Sequence, residues 1–438
     1  MTIERVDSMI VDIRGHSDLL RFIFKVEEED KVKPSEKFRM GERECYFSLP
    51  MGVSVDRIHP DHLALVSLML CFPFIGESIR FPRGISKEFH DAAGVISRFS
   101  VGPIDEDISP YRSPESSKPA LALSGGVDSV TALAIMPEET VSFFLDRPIN
   151  LFARSLYDKE AAHMSCKELG KLGHNVVMVE TDLEYLRKPV GFPVDVANSS
   201  PAILLAEEFA LDSIAFGTIM ESAYGIGSKS YRHYPNGSHN RLWGTLFQAA
   251  GLPLNLVVAG MSEVATSKIM IEHEIGPLSQ SCIRGKWKSP CLNCWKCFRK
   301  SLLDSTLRKE EIDDGILDKL FNIAEAKHHL RSFPIKHENV LSYICERYDG
   351  DHKLMSLLKR RVGANKSDLK WLESWNPESM ELIFPKYRDE IVSKIVRLIP
   401  TMDEFQINKM KSWDMEEMLQ NQEFKSLSEE LDAALSSL

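Results

Sequence analysis

The sequence has little positive charge and no long hydrophobic run. No apolar stretch approaches the roughly 18 residues that a membrane-spanning helix needs. The N-terminal residues MTIERVDSMIVDIRGHSD scatter charges among apolar side chains and lack the apolar core of a secretory signal. Lys and Arg number 53 against 64 Asp and Glu, a formal net charge of −11, which disfavours nucleic acid and anionic lipid as partners. We therefore expect a cytoplasmic protein without a membrane or nucleic-acid partner.

Repeats and low-complexity tracts are also missing, and the composition is that of a globular protein. Hydrophobic residues make up 43% and charged residues 27%, which excludes collagen, coiled-coil rods and wholesale disorder. A length of 438 residues allows two or three domains. Of the eight cysteines, four are isolated, and in a reducing compartment such residues are commonly small buried hydrophobes: Cys45, Cys71, Cys166 and Cys345.

The pattern along the chain changes twice. Residues 1–115 mix alternating stretches with one apolar helix at 62–76, which indicates an accessory α+β region, and the proline-rich segment 102–119 is typical of an exposed linker. Residues 116–300 alternate strands with helices, the pattern of a parallel sheet covered on both faces. Residues 301–438 have helical spacing. Within the α/β part, strands are predicted at 120–124, 140–146, 174–182 and 213–218, and helices at 127–136, 157–173 and 200–212.

A glycine loop follows the first predicted strand of the α/β part. It reads Ser124-Gly125-Gly126-Val127-Asp128-Ser129. Two adjacent glycines let the backbone approach an anion, and the amides at the start of the next helix donate to phosphate oxygens. The two serines add hydroxyl donors, whereas Asp128 repels phosphate unless it binds Mg²⁺ or a proton. The loop matches neither the P-loop nor the dinucleotide fingerprint. The alternative is a glycine turn in which Asp128 caps the helix.

The other four cysteines form a cluster with the spacing C-x8-C-x2-C-x2-C: Cys282, Cys291, Cys294 and Cys297. Four thiolates this close suit one tetrahedral Zn²⁺, and four protein ligands leave no open position, which favours a structural ion. The alternatives are an iron–sulfur cluster, a redox C-x-x-C pair and four unrelated buried cysteines. Six basic residues surround the cluster and would offset its negative charge: Arg284, Lys286, Lys288, Lys296, Arg299 and Lys300.

Both motifs resemble known families. SGGVDS resembles the pyrophosphatase loop of the N-type ATP pyrophosphatase (PP-loop) superfamily, whose members activate a carboxylate or carbonyl oxygen as its adenylate and let a nitrogen or sulfur nucleophile displace AMP. SCIRGKWKSPCLNCWKCFRKSLL is similar to the zinc segment of 7-cyano-7-deazaguanine synthase, and the resemblance extends over residues 118–300. It implies a parallel-sheet PP-loop core that binds ATP, Mg²⁺ and Zn²⁺.

The resemblance also implies roles for individual residues. Residues 124–129, Asp146 and Gly217 would bind ATP, with Asp128 and Ser129 as the catalytic pair, and Asn198 would face the substrate. From the residues alone, the cation-rich segment 221–241 with Lys229 and Arg232 is either a substrate loop at the carboxyl end of a strand or a solvated basic turn. Asp146 ends a strand and is alternatively a turn or helix cap.

The sequence departs from the synthase on the substrate side. Ala197 stands where the family has an arginine, and the segments 145–160 and 220–240 differ from the family patterns. In length the chain is similar to synthase-like proteins of bacterial antiphage systems. Our leading hypothesis is an ATP-dependent ligase that couples a carboxylate, such as 7-carboxy-7-deazaguanine, to ammonia or a protein amine in antiviral defence. Its partners would be that small molecule, an acceptor protein and a second copy of the chain. A tRNA-modifying enzyme and a non-catalytic nucleotide sensor or scaffold are the alternatives.

Overall fold

The computed structural model describes residues 6–16, 18–26, 39–50, 53–149, 157–363 and 368–437. Within these ranges the strands are β1 (Val6–His16), β2 (Leu19–Val26), β3 (Arg39–Met40), β4 (Glu44–Ser48), β5 (Ile75–Ile85), β6 (Ser100–Ile104), β7 (Lys118–Leu123), β8 (Val141–Asp146), β9 (Asn175–Glu180), β10 (Arg187–Lys188), β11 (Leu211–Phe216) and β12 (Leu254–Asn255).

The helices follow the same chain order. They are α1 (Pro60–Cys71), α2 (Lys87–Ala93), α3 (Val127–Ile135), α4 (Lys159–Lys171), α5 (Ser200–Leu204), α6 (Ala206–Phe209), α7 (Met220–Ala223), α8 (Thr245–Ala249), α9 (Glu263–Glu272), α10 (Trp295–Arg308), α11 (Asp314–Phe321), α12 (Ala324–Leu330), α13 (Glu338–Glu346), α14 (Lys353–Arg361), α15 (Arg388–Leu398), α16 (Glu404–Lys411), α17 (Glu416–Gln420) and α18 (Gln422–Ser436). No helix in the described part of the chain is both long and apolar enough to cross a membrane.

The sheet that positions the site is five-stranded and parallel throughout, in the order β12-β11-β7-β8-β9. Strands β8 and β11 are buried along their whole length, as expected for apolar strands covered on both faces. The chain runs from β7 outward to β9 and then returns to β11 on the other side of β7. This reversal leaves a crevice between the carboxyl ends of β7 and β11, where open α/β sheets bind ligands. The predicted mixed α/β architecture with a parallel sheet is confirmed.

One predicted helix is wrong in its extent. The helix expected at 200–212 is split into α5 and α6, because the backbone leaves helical geometry at Leu205 (φ −109°, ψ 14°). It then ends early, since Ala210 adopts a left-handed conformation with φ 51° and β11 begins one residue later. All residues of α5 are buried, whereas α6 buries only Ala206, so the apolar pattern of this segment does not mark one long helix.

The N-terminal region forms a mixed sheet in the order β4-β2-β1-β5-β6, and α1 is buried at eleven of its twelve residues. The prediction of an exposed linker at 102–119 is wrong at its ends, which belong to β6 and β7, and at Tyr111. Tyr111 is buried and its hydroxyl donates to the Leu211 carbonyl oxygen at 3.0 Å. One hydrophobic core contains Phe22, Phe143 and Phe321, so side chains of all three predicted regions pack together.

Candidate functional site

The glycine loop lies at the carboxyl end of β7, the central strand of the parallel sheet, and leads into α3. Gly125 has φ +74°, a left-handed conformation that glycine adopts without strain. Gly126 is the N-cap of α3, and no side chain accepts a hydrogen bond there. The first amides of α3 therefore point out of the helix without a capping side chain, and together with the helix dipole they suit an anion.

The two serines of the loop bind each other and fix its shape. The Ser129 hydroxyl donates to the Gly126 carbonyl oxygen at 3.1 Å and accepts from the Ser124 amide at 3.2 Å. The Ser124 and Ser129 hydroxyl oxygens lie 2.9 Å apart. Because Ser129 is buried and Ser124 is exposed, Ser129 stabilises the loop from inside and Ser124 faces solvent.

Gly217 brings the end of β11 against the start of α3. A Cβ atom at this position would lie 2.8 Å from the Ser129 amide nitrogen and 3.0 Å from the Ser129 Cα. A side chain would therefore push the strand away from the loop. The end of β11 lies against the start of α3 because position 217 is glycine, and this contact closes one side of the crevice.

Asp128 faces α9 from the first turn of α3. Its Oδ1 accepts a hydrogen bond from the Thr266 hydroxyl at 2.8 Å. Burial raises the pKa of Asp128, Lys300 opposes that shift, and the nearby Glu263 carboxylate adds to it. Since α3 begins at Val127 with Gly126 as its cap, the alternative interpretation of Asp128 as the helix cap is wrong.

A cavity of about 380 Å³ opens in front of the loop. Among the predicted site residues, its lining includes Ser124, Gly126, Val127, Asp128, Ser129, Asn198, Gly217 and Arg232. It also includes residues that were not predicted to bind nucleotide or substrate: Glu263, Lys296, Arg299, Lys300 and His337. Four of these five come from α9 and α10, and His337 immediately precedes α13. Helices beyond the parallel sheet therefore supply the wall opposite the glycine loop.

Glu263 is the centre of a buried charge network in this wall. Its side chain is 3% exposed, and Arg299 donates to it through Nε at 3.0 Å and Nη2 at 3.0 Å. Lys300 Nζ lies 3.1 Å from Glu263 Oε1, and His337 Nδ1 lies 3.4 Å from Oε2. Burial acts to raise the pKa of Glu263, but Arg299, Lys300 and His337 outweigh it and hold this pKa well below its usual range.

His337 does not add a charge to this network near neutral pH. Burial, followed by the positive charge of Arg299, lowers the pKa of His337 to about 3. The neutral imidazole leaves Arg299 and Lys300 as the cations that Glu263 compensates.

Glu221 lies behind Glu263 and is held in a different protonation state. Both of its carboxylate oxygens are 3.1 Å from the Glu263 amide nitrogen, and Oε1 accepts from Asn339 Nδ2 at 2.7 Å. Burial and then the charge of Glu263 raise the pKa of Glu221 to about 8. Two neighbouring carboxyl groups thus have pKa values shifted in opposite directions.

This arrangement predicts a pH dependence of stability. Between pH 5 and 8 the folded chain holds a proton on Glu221 that the unfolded chain has released, so the free energy of unfolding should fall as pH rises, by up to about 1.4 kcal/mol per pH unit. Glu221→Gln keeps an oxygen acceptor and should remove this contribution, which makes the variant more stable than the parent at pH 8 and similar at pH 4.5. Urea unfolding across this range measures the difference. Parallel pH curves for the two proteins would contradict the assignment.

Asp146 and Lys229 lie outside the cavity. Asp146 ends β8 and pairs with α4, where Lys159 Nζ and His163 Nε2 each lie 3.1 Å from its carboxylate. The cap of α4 is Asp158, so Asp146 does not cap that helix. Lys229 is exposed and does not line the cavity. These two predicted site residues are therefore not brought into the cavity beside the glycine loop.

Arg232 and Asn198 reach the cavity in different ways. Arg232 lines it but uses its guanidinium on the backbone, donating to the Ser222 carbonyl oxygen at 2.6 Å and to that of Ala223 at 3.3 Å. Asn198 Oδ1 is buried and has no hydrogen-bond partner among the residues that the structure describes. Asn198 also borders a second cavity of about 70 Å³ behind Ser124. In the divergent segment 145–160, residues 150–156 lie outside the described ranges.

The four clustered cysteines converge as their spacing predicts. Their Sγ atoms all lie within 4.8 Å of one another, and those of Cys291 and Cys297 are 3.8 Å apart. A zinc–sulfur bond of about 2.3 Å in a tetrahedron requires sulfurs about 3.8 Å apart, so the set fits one ion. The backbone amides of Cys291 and Cys297 donate to the sulfurs of Cys282 and Cys294 at 3.4 Å. The cluster can therefore hold a metal ion such as zinc.

The cysteine cluster is joined to the cavity through α10 and the segment before Cys282. Cys294 is the N-cap of α10, and Cys297 lies in its first turn, between the cavity-lining residues Lys296 and Arg299. On the other side, the Gln280 amide donates to the Gly125 carbonyl oxygen at 2.6 Å. The cysteine segment thus contacts the glycine loop and also begins the helix that forms the opposite wall.

Comparison with known proteins adds one family match. The chain matches the model of a family of unknown function, DUF6395, over residues 242–414. This range contains the four cysteines, Glu263, Arg299 and His337, but it begins after the glycine loop. No curated protein and no solved structure matches the chain.

Proposed function

We propose that the chain is an ATP-dependent ligase with a PP-loop core, which activates a carboxylate as its adenylate and transfers the acyl group to a nitrogen nucleophile. One observation carries this proposal. The glycine loop presents uncapped helix amides at the carboxyl end of the central parallel strand, into a cavity whose opposite wall carries cations. This is the arrangement that a polyphosphate requires.

Each part of the loop has a role in the proposed reaction. The amides at the start of α3 would bind the β- and γ-phosphates of ATP, and the exposed Ser124 hydroxyl would donate to them. The Thr266 hydroxyl donates to Oδ1 of Asp128, and no described residue donates a hydrogen bond to Oδ2. Asp128 would therefore hold Mg²⁺, which neutralises charge on the phosphates when bound. Ser129 would act by keeping the loop in shape, because its hydroxyl is bonded within the loop.

The chemistry then needs positioning and charge stabilisation rather than a protein nucleophile. A carboxylate oxygen of the substrate attacks the α-phosphorus, and the bond from that phosphorus to the bridging oxygen breaks, so that pyrophosphate leaves with the electron pair. The amine nitrogen next attacks the activated carbonyl carbon and loses a proton, and AMP leaves. Resemblance to the deazaguanine synthase supports 7-carboxy-7-deazaguanine as the carboxylate, ammonia or a protein amine as the acceptor, and antiviral defence as the setting.

The test follows oxygen atoms from substrate to product. Incubation of 7-carboxy-7-deazaguanine labelled with ¹⁸O in its carboxylate, together with ATP and ammonium, should give AMP that carries one ¹⁸O atom and unlabelled pyrophosphate. Mass spectrometry of the nucleotide products measures both. Unlabelled AMP, or ADP with phosphate, would contradict adenylation of this carboxylate.

Variants of the loop connect the reaction to the site. Asp128→Ala should slow AMP formation by about 10²-fold or more, in the range found when a charge-stabilising group is removed from an active site. Ser129→Ala should slow it as well, because the loop loses the hydrogen bonds that hold its shape. Asp313→Ala removes an exposed aspartate that caps α11 outside the cavity, and it should leave the rate unchanged. Equal rates for the loop variants and the control would argue against the loop as the nucleotide site.

A further inference from the structure

One guanidinium nitrogen of Arg299 makes no hydrogen bond within the described part of the chain. The side chain is 6% exposed, and its Nε and Nη2 atoms donate to Glu263. Its Nη1 atom is buried and has no hydrogen-bond partner among the described residues. Leaving a buried donor unpaired is unfavourable by about 1–3 kcal/mol, more for a charged group, so native proteins rarely leave one without a reason. Arg299 lines the cavity in front of the glycine loop, where a ligand would reach it.

The neighbouring residues of α10 add positive charge around this donor. Lys296, Arg299 and Lys300 have i, i+3 and i+4 spacing, which puts them on one face of the helix, and all three line the cavity. Lys300 Nζ donates to the Ser267 hydroxyl at 2.8 Å and pairs with Glu263, whereas no hydrogen bond or ion pair of Lys296 to a described residue is present. Glu263 balances one of the three charges. With Asp128 across the cavity, the α10 face still carries a positive surplus.

We propose that Arg299 is an oxyanion ligand of this cavity, with Nη1 donating to an oxygen of the bound phosphate or carboxylate and Glu263 acting as its positioning residue. A guanidinium suits this task because its planar fork can serve the carboxylate of Glu263 on one side and a second anion on the other. The identity of the anion rests on the proposed function, which supplies two sources: the α-phosphate of the nucleotide and the carboxylate that it activates.

The position of Nη1 is fixed before any ligand arrives. The two hydrogen bonds that Arg299 donates to Glu263 set the plane of the guanidinium, and its central carbon lies 5.6 Å from the centroid of the Trp295 ring. The helix that carries Arg299 begins at the metal centre, with Cys294 as its N-cap. A donor that is already oriented and desolvated binds an anion without further ordering of the protein.

The test is calorimetric binding of ATP, AMP, pyrophosphate and 7-carboxy-7-deazaguanine to the full chain. Arg299→Lys keeps the positive charge and a pairing with Glu263 but has no second nitrogen for the cavity. We expect affinity for at least one of these anions to fall by about 10- to 100-fold. Loss for ATP and AMP but not pyrophosphate identifies the α-phosphate as the partner, and loss for the carboxylate alone identifies the substrate.

Lys286→Gln is the matched control, since it removes an exposed cation from the metal segment outside the cavity, and all affinities should be retained. If Arg299→Lys binds every anion as tightly as the parent, the proposal is wrong. A crystal of the parent soaked in tungstate decides the matter if the variant does not fold. The ion should lie within hydrogen-bond distance of Nη1, and a cavity with no tungstate, or with tungstate out of reach of Nη1, would overturn the proposal.

Failure here is distinguishable from failure of the ligase proposal. If labelled carboxylate gives no labelled AMP but Arg299→Lys still weakens anion binding, the ligase chemistry is wrong and the anion ligand stands. If AMP carries the label but Arg299→Lys binds every anion as tightly as the parent, the ligase proposal stands and the anion-ligand proposal is wrong.

Discussion

Cys294→Ser should release the bound metal and destabilise the protein more than substitution of a cysteine outside the cluster. Cys294 is one of four cysteines that can hold a metal ion, and it also caps α10, so its substitution should affect both the ion and the helix that forms the cavity wall. Structural zinc contributes an apparent binding free energy of about 10–16 kcal/mol in zinc-finger peptides, and a variant that loses the ion loses that contribution. Metal content by mass spectrometry and thermal unfolding of the same samples measure the two effects.

Cys166→Ser is the matched control for this prediction. Cys166 is buried in α4 at 4% exposure and lies outside the cluster. This variant should keep one metal ion per chain and lose about 1–2 kcal/mol, the ordinary cost of a buried substitution. A Cys294→Ser protein with a full metal complement and the stability of the parent would show that the four sulfurs do not hold a structural ion.

Glu263→Gln should lower the free energy of unfolding by about 3–5 kcal/mol, the range measured when one partner of a buried ion pair is removed. The amide has nearly the shape of the carboxylate but no charge, so Arg299 and Lys300 would remain buried beside it without compensation. Urea unfolding at pH 7 measures the loss. Anion affinity of the folded variant should fall as well, because the amide cannot accept two hydrogen bonds from Arg299 as the carboxylate does.

Glu373→Gln tests whether burial or the number of partners determines how much stability is lost when a paired carboxylate is replaced. Glu373 also has three partners, Lys268, Tyr343 and Arg347, but its side chain is 19% exposed. Water can solvate the groups left behind, so we expect a cost of about 1 kcal/mol. If Glu263→Gln and Glu373→Gln lower the free energy of unfolding by the same amount, burial does not explain the cost of breaking the Glu263 network.

The parallel sheet and both motifs were predictable because their signals are local. Strands β7, β8, β9 and β11 are apolar runs between helical patterns, and the structure has each of them close to its predicted bounds. The spacing of the four clustered cysteines is sufficient to predict that their side chains lie close together. Gly125 marks a left-handed turn that other residues adopt less easily. In each case the residues that matter are near neighbours in the chain.

The wall opposite the glycine loop was not predictable, because its residues come from distant parts of the chain. Glu263 begins helix α9, and nothing near it in sequence indicates that Arg299 and His337 will surround it. His337 itself has a left-handed backbone, φ 60°, at a position that no sequence pattern marks. The prediction for Lys229 rested on the cation-rich composition of segment 221–241. Composition does not specify which side chains of such a segment point into the cavity.

The central claim is that the glycine loop binds the polyphosphate of ATP, and a crystal structure with α,β-methylene-ATP tests it most directly. This analogue cannot lose pyrophosphate, so it should remain intact in the site. We expect its β- and γ-phosphate oxygens to accept hydrogen bonds from the amides at the start of α3, with the α-phosphate toward Arg299. A triphosphate bound elsewhere on the chain, with the cavity between the loop and α10 left empty, would contradict the account.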